Sequence, residues 1–385
     1  MFIGSRANYS SARSIMKAIQ ATPELKLQVI LGAVALLPRF GNLEEILERD
    51  GFKVDAKFYM IVEGETPVTM SKSAGLGIID LTMIFYNLAP DMIVAVGDRF
   101  DVMAPVLAAT YMNIPIAHTM GGERSGTVDE NIRHAITKLS HLHFPANEDA
   151  RDRIIKMGED PSKVFNVGCP RMDYVLECLD QMKKEVAYDY SDFFAKHGGV
   201  GGCFDLSKEK FLLVSQHPVT TEYGSNRQYI EEILHALNKF KMPTIMIWPN
   251  ADAGSFEISR GVRVFRETYR PEWLHLFINL PIEAYLRLMR LCSCMIGNSS
   301  SAIREGEVIG VPAVNIGTRQ NMRLKGKNVV DVASSRDEIY QAIVRQMESG
   351  FYETEYLYGN GSAGKKIAKI ISETNITTTQ KINFY

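Results

Sequence analysis

Short apolar runs alternate with stretches of helical periodicity along almost the whole chain. Leu27–Leu31, Ile93–Val96, Ile114–Ala117 and Val164–Val167 occupy the first half. Phe211–Val214, Thr244–Ile247, Leu274–Ile278, Met295–Ile296 and Val311–Asn315 occupy the second. These runs are continuously apolar rather than alternating, which is the pattern of strands covered on both faces in a parallel sheet. Between them, Ser11–Ile19, Leu43–Arg49, Asn131–Leu139, Gln228–Lys239 and Pro281–Leu291 space their apolar residues as helices do. Strand and helix in alternation predict an α/β fold with doubly wound parallel sheets.

At 385 residues the chain is too long for one core, so two domains are expected. The rhythm breaks at Ala187–Lys208, which is polar, aromatic and glycine-rich around His197-Gly-Gly-Val-Gly-Gly-Cys203. That break predicts a linker over 187–208, with an N-terminal Rossmann-like domain over 1–186 and a C-terminal one over 209–363. The two domains are expected to face each other across a cleft. Lys365–Tyr385 begins as a basic amphipathic helix and ends in a polar tail. Only Met1-Phe2-Ile3 precedes the turn Gly4-Ser5-Arg6, so the first strand is expected either to be unusually short or to have lost residues ahead of it.

Composition narrows the partners. With 46% apolar residues and a formal net charge of −2, the chain lacks the basic footprint of a nucleic-acid or membrane-surface protein. No uninterrupted apolar run reaches 18 residues and no signal-peptide pattern opens the chain, so a cytoplasmic protein is expected. The five cysteines, Cys169, Cys178, Cys203, Cys292 and Cys294, show no paired CxxC spacing and read as buried free thiols.

Candidate chemistry concentrates between Gly97 and Lys138. Asp98, Arg99, Asp101, Glu123, Asp129, Glu130, Arg133 and His134 follow two buried-strand runs, where open α/β sheets bind their ligands. Helix caps and ion pairs with Arg99, Arg124 and Arg133 are the plain alternative for these carboxylates. Three of them within about thirty residues, Asp98, Glu123 and Asp129, favour an acid–base site. Gly297-Asn-Ser-Ser-Ser-Ala-Ile-Arg-Glu305 reads as a strand end, a small-residue turn and a helix start, a geometry that suits a phosphate and also an ordinary N-cap. Arg6, Arg99 and Arg319 each lie two residues past a strand-terminal glycine, and guanidinium groups suit phosphate. There is no GxxxxGK[ST] and no GxGxxG after the first strand, which argues against a P-loop nucleotidase and against a nicotinamide cofactor. His217 closes the strand Phe211–Val214 and is expected to face the cleft. His118, His134, His141 and His143 place no three ligands on one face, so no metal is expected.

GDRFD, GGERSGTVDENIRHAITKLSHLHF, GCPRMD, QHPVTT, PNADAGS, MIGNSSSAIRE and GTRQ occur in this order from residue 97 to residue 320. In order and spacing the chain resembles the UDP-N-acetylglucosamine 2-epimerases, and more narrowly their hydrolysing branch in sialic and legionaminic acid pathways. The resemblance runs from Gly4 to about Gly364. It implies a fold of the glycosyltransferase-B type, a C-terminal helix 364–385 packed back on the N-terminal domain, a UDP-sugar substrate, no cofactor, and a homodimer or homotetramer. It also implies catalytic roles for Asp98, Asp129 and His217, and a place near the sugar for Arg133. Arg6, Ser10, Arg99, Asn250, Ser299, Ser300, Glu305 and Arg319 match its UDP-binding positions. One position departs: where the family often carries Glu-Gly-Gly-Glu, this chain has Met120-Gly-Gly-Glu123. A thioether cannot trade protons, so either Glu123 or Asp129 takes the duty, or the substrate differs, or the activity is weak. A glycosyltransferase on the same fold and a UDP-sugar-binding protein without turnover remain the alternatives.

Overall fold

The computed structural model describes residues 1–38, 41–376 and 380–384. The chain divides into two compact α/β units. Unit 1 comprises Met1–Arg124, Val128–Glu177 and Tyr358–Tyr385; unit 2 comprises Ser125–Thr127 and Cys178–Leu357.

In unit 1 the chain order is β1 (Phe2–Ile3), α1 (Arg6–Gln20), β2 (Ile30–Leu31), α2 (Leu43–Arg49), β3 (Ala56–Lys57) and α3 (Pro67–Leu88). There follow β4 (Ile93–Val96), α4 (Phe100–Tyr111), β5 (Ile116–Thr119), α5 (Val128–Leu139), β6 (Leu142–Phe144), α6 (Glu148–Lys156) and α7 (Pro170–Lys184), whose last turns pass into unit 2. Two three-stranded parallel sheets result, β1-β2-β3 and β4-β5-β6. Phe2, Phe58, Leu81, Phe85, Ile93, Phe100, Val106, Ile116 and Ile136 form their common core. Local signals set the helix starts. Ser5 caps α1 through the N–H of Asn8, and Thr66 with Thr69 forms a capping box ahead of Pro67 in α3. Asn8 also ties two strand ends together: it accepts from Gly4 N at 3.3 Å and donates to Val96 O at 2.7 Å.

Unit 2 continues with α8 (Phe193–His197), β7 (Val200–Gly201), β8 (Leu212–Ser215), α9 (Asn226–Phe240), β9 (Thr244–Ile247), α10 (Ser255–Tyr269) and β10 (Leu274–Phe277). It ends with α11 (Ile282–Leu291), β11 (Cys294–Gly297), α12 (Arg304–Ile309), β12 (Ala313–Ile316), β13 (Val329–Val332) and α13 (Arg336–Ser349). Its sheet runs β13-β12-β11-β8-β9-β10-β7, parallel except for β7. Leu212, Val214, Ile233, Leu237, Met246, Ile258, Leu276, Ile296 and Val314 fill the core.

Several expectations shift in detail. The run Leu27–Leu31 contributes only Ile30–Leu31 as strand, and Val164–Val167 only a bridge between Val164 and His143. Ala187–Lys208, expected as a linker, holds α8 and the edge strand β7, and its aromatic residues pack inward. Phe194 stacks on Phe277 of β10 and Phe193 meets the same ring edge-on. Cys203 is exposed, unlike the other four cysteines. Helix α3 is absent from the periodicity reading because it is apolar on both sides. It is long and apolar enough to cross a membrane by length and composition, with 22% of that window buried.

The chain returns to unit 1 through α14 (Ala363–Glu373), which packs on α1. A Cβ on Gly364 would come within 2.6 Å of the Ser14 carbonyl carbon and oxygen, so this close approach requires glycine. Asp173 accepts the first N–H groups of α14, from Ala363 at 3.0 Å and Gly364 at 2.7 Å. Beyond it, Lys381 donates to Glu159 at 2.6 Å and to the carbonyl of Lys138, at the end of α5, at 2.7 Å. Burial works against the Glu159 charge. His143, Lys138 and Lys381 overcome that and hold its pKa at about 2. Thr377–Thr379 and Tyr385 of the expected returning segment lie outside the described residues.

Candidate active site

In unit 1, Gly97 turns the chain at the end of β4 with φ +87°, and Asp98 follows. Arg133 lies in the second turn of α5 with its side chain 1% exposed. Its Nε donates to Asp98 Oδ2 at 2.7 Å, its Nη2 reaches the same oxygen, and its Nη1 donates to the Glu123 carbonyl at 2.7 Å. Burial penalises the guanidinium charge, but Asp98, Glu123 and Asp129 outweigh it and raise the pKa. Glu123 is buried, and Asp129 is half-buried in the first turn of α5. One cation therefore feels all three carboxylates picked out from the sequence.

A buried histidine fixes this arrangement from behind. His118 on β5 pairs with Ala95 of β4 on one side and His143 of β6 on the other. Its Nε2 lies 3.0 Å from the Gly97 carbonyl, so that nitrogen carries the proton, and Nδ1 lies 3.2 Å from the Thr137 hydroxyl, which also reaches the Arg133 carbonyl at 3.0 Å. Burial drives its pKa down to about 3, which keeps the ring neutral. His118 thus links the turn before Asp98 to the helical turn after Arg133.

Met120 follows His118 by two residues. It is buried, holds φ +60°, and accepts from the Cys169 thiol at 3.4 Å. A Cβ on Gly97 would sit 4.0 Å from its methyl carbon, so the thioether walls the turn that carries Asp98. A long side chain in the left-handed region is strained, a feature that clusters at functional sites.

The remaining unit 1 residues lie at helix starts. Arg6 is the first residue of α1, and burial and then Arg49 lower its pKa. Ser10 donates to the Arg6 carbonyl at 2.9 Å. Arg99 caps α4 and donates to Asp101 at 3.4 Å.

In unit 2, β8 ends at Ser215 and β11 at Gly297. Gly297 has φ +125°, and a Cβ there would fall 2.2 Å from the Ser215 carbonyl, so glycine lets the two strand ends meet. Asn298 then clamps His217 from both sides of its peptide. Its Oδ1 accepts the His217 N–H at 2.7 Å and its Nδ2 donates to the His217 carbonyl at 2.8 Å. The His217 Nδ1 accepts the Asn250 N–H at 3.3 Å, which places the ring proton of the neutral form on Nε2, 3.3 Å from Ser215 Oγ. Arg319 at 3.2 Å and Gln320 at 2.8 Å both donate to the Asn298 carbonyl. Ser299 caps a 3₁₀ turn, Ser300–Ala302, and Glu305 is buried in the six-residue α12. The helix start expected here is therefore short. Ser125–Thr127, just past the Glu123 loop, lies in this unit, where the Gly126 N–H donates to the Arg319 carbonyl at 3.0 Å.

The structure brings Asp98, Glu123 and Arg133 together within Asp129's field, and gathers His217, Asn250 and Arg319 around Asn298. Reading the sequence overlooked Asn298, Gln320 and Thr137, and took His118 only as a doubtful ligand. These are buried neutral groups whose role lies in geometry, and only their place at strand ends or facing helix turns signals it.

The comparisons agree with this architecture. The model of the UDP-N-acetylglucosamine 2-epimerase family matches residues 17–372. A Legionella pneumophila protein described as UDP-N,N'-diacetylbacillosamine 2-epimerase (hydrolyzing) is 29% identical over 96% of this chain and 93% of its own. Polysialic acid biosynthesis protein P7 of Escherichia coli is 31% identical over 88% of this chain and 83% of its own. The Methanocaldococcus jannaschii UDP-GlcNAc 2-epimerase, solved with UDP-GlcNAc and UDP, superposes with a TM-score of 0.80 at 18% identity, covering 97% of this chain and 99% of that one. With its two Rossmann-like units, glycosyltransferase-B type fold and near full-length match, the chain belongs to the UDP-N-acetylglucosamine 2-epimerase family.

Proposed function

We propose that this chain is a hydrolysing 2-epimerase. It converts a UDP-activated 2-acetamido sugar and water to UDP and the free 2-epimer. The observation that carries the reading is Asp98 held by a buried Arg133 at a strand end, with Glu123 and Asp129 close enough to act on the same guanidinium. A carboxylate so paired stays ionised and fixed in direction, which a base for the C2 proton needs. It is also a weak base, so departure of UDP runs ahead of deprotonation. The C1–O bond breaks with oxocarbenium character, Asp98 takes the C2 proton, and 2-acetamidoglucal and UDP result. Water then adds across the double bond: hydroxyl goes to C1, and a proton is delivered to C2 on the opposite face. Glu123 or Asp129 serves this second step in place of the family's glutamate.

The nucleotide falls to Arg6, Ser10, Arg99, Asn250, Ser299, Ser300, Glu305 and Arg319, with Glu305 at the ribose and the arginines at the diphosphate. His217, with its proton on Nε2, donates toward the leaving group. The substrate is UDP-N-acetylglucosamine or a UDP-2,4-diacetamido-2,4,6-trideoxyhexose. The apolar Met120 favours the second, which lacks a C6 hydroxyl, and the Legionella relative described as acting on a UDP-diacetamido sugar supports it. Met120 equally supports a second reading, a UDP-sugar-binding protein without turnover. Incubation with each UDP-sugar in D₂O, followed by NMR, separates them. Release of UDP and a 2-epimer carrying deuterium at C2 is expected; free sugar without deuterium at C2 defeats the elimination step, and no release favours binding alone.

A further inference from the structure

Past its last helix the chain reaches back to α5, the helix that carries Arg133, and to the loop after α6. The three protons of the Lys381 ammonium find three acceptors: Glu159 Oε2 at 2.6 Å, the Lys138 carbonyl at 2.7 Å and the Thr137 carbonyl at 3.4 Å. Those carbonyls belong to the last turn of α5, where a helix runs out of internal donors and a cation meets the negative end of its dipole. Asn383 accepts from Lys138 Nζ at 2.8 Å, and the Phe384 N–H donates to the Gly158 carbonyl at 2.9 Å. A tail that merely lies on a surface makes exposed contacts. This one brings its charge to a carboxylate 3% exposed, whose other partners are Lys138 and His143.

From that anchorage two short routes lead to the Asp98–Arg133 pair. Along α5, the Thr137 hydroxyl sits one turn after Arg133, between the Arg133 carbonyl and His118. Across the sheet, Glu159 lies 3.0 Å from His143 Nε2, and His143 pairs in register with His118. Both routes meet at His118, which fixes the Gly97 carbonyl immediately before Asp98. We propose that Lys381 is a positioning residue for the proton-transfer step: the C-terminal tail straps the end of α5 so that Arg133 holds Asp98 in its working direction. This rests on the reading of Asp98 as the base for the C2 proton. Lys381 acts through the helix, and a displacement of about 1 Å at a reacting group can cost about 10²-fold in rate.

Lys381→Met keeps the stem and removes the ammonium. In the full chain, turnover of the UDP-sugar per UDP-binding site counted by calorimetry should fall about tenfold. KM and UDP affinity should stay within about twofold. With ¹⁵N-labelled arginine, NMR should show the Arg133 Nε–H exchanging with water about tenfold faster or more, because its bond to Asp98 loosens. A strap that only stabilises the fold would lower Tm and the number of UDP-binding sites, and leave turnover per site and the exchange rate as they were. Unchanged turnover per site, an unchanged exchange rate, or an equal loss of turnover and UDP affinity each overturns the proposal. If the unaltered chain turns over no UDP-sugar, the functional reading fails, and the exchange rate alone decides whether the tail holds Arg133. Should Lys381→Met not fold, Asn383→Ala, which removes one bond of the strap, must show the same split at about two- to threefold.

Discussion

The ends of β4 and β5 in unit 1 are organised by charge, with Asp98, Arg133 and nearby Glu123 and Asp129 bound into one group. The ends of β8 and β11 in unit 2 are organised by neutral groups: Asn298 grips the His217 peptide while Asn250 fixes its ring. On the proposed function, the same strand–turn–helix architecture would serve two tasks. A group that moves a proton must be ionised and aimed, which a buried counter-ion achieves at the cost of desolvating both partners. A group that meets a diphosphate needs donors set in place beforehand, and amide-to-peptide bonds hold them without adding charge of either sign.

If the contrast is right, the two regions fail differently. The largest expected effect is Asp98→Asn. Turnover should fall by about 10² or more while UDP affinity measured by calorimetry is retained. Comparable loss of both would place Asp98 in nucleotide binding instead. Arg319→Ala should do the reverse, weakening UDP by roughly 1.5–3 kcal/mol, the range for a charge-assisted contact. Unchanged affinity removes Arg319 from the nucleotide site.

Met120→Glu sharpens the unit 1 side. The structure buries the Met120 side chain against Cys169 and beside Gly97, so a new carboxylate there would be taken out of water. The substitution should therefore cost about 1–3 kcal/mol, visible as a lower Tm. If the glutamate's duty is what the chain has lost, turnover of UDP-N-acetylglucosamine should nevertheless rise. A decline in both properties would assign Met120 to packing alone.

His118 gives the smallest effect, and it is read through pH. Its pKa is near 3 when folded and about 6.5 when unfolded, so the unfolded chain binds the proton first. The stability this contributes is fully present above pH 6.5 and is lost as pH falls toward 3. About 1 kcal/mol should go between pH 6.5 and 5.5. His118→Gln keeps a donor for Gly97 and an acceptor for Thr137 while removing the titration. Chemical unfolding at the two pH values should show a shallower slope in that variant. Some slope will remain from His143, whose pKa burial also lowers.

How much of this was legible beforehand depended on the kind of signal. Buried parallel strands announce themselves as unbroken apolar runs, and Ile93–Val96 and Thr244–Ile247 form with the bounds read from the sequence. Charged side chains beyond them also announce themselves, because the interior tolerates few without a purpose. Helix α3 escaped because periodicity detects a helix with one wet face, and both of its faces are apolar. Asn298 and His118 escaped for another reason. A buried amide or a neutral imidazole acts through partners 81 and 21 residues away, and nothing local marks the pairing. The strand Leu27–Leu31 was overlong because an apolar run records burial, whereas only Ile30 and Leu31 find hydrogen-bonding neighbours on both sides.

The return of the chain to its starting unit has a consequence for biogenesis. Asp173, Gly168, Glu159 and helix α1 wait for partners at residues 358–384, which the ribosome delivers only after every residue of the seven-stranded sheet. The second unit can close as soon as it emerges, while the first must persist through that interval as an unfinished core, with the seat of α14 still open. Chaperones and proteases would meet it in that state.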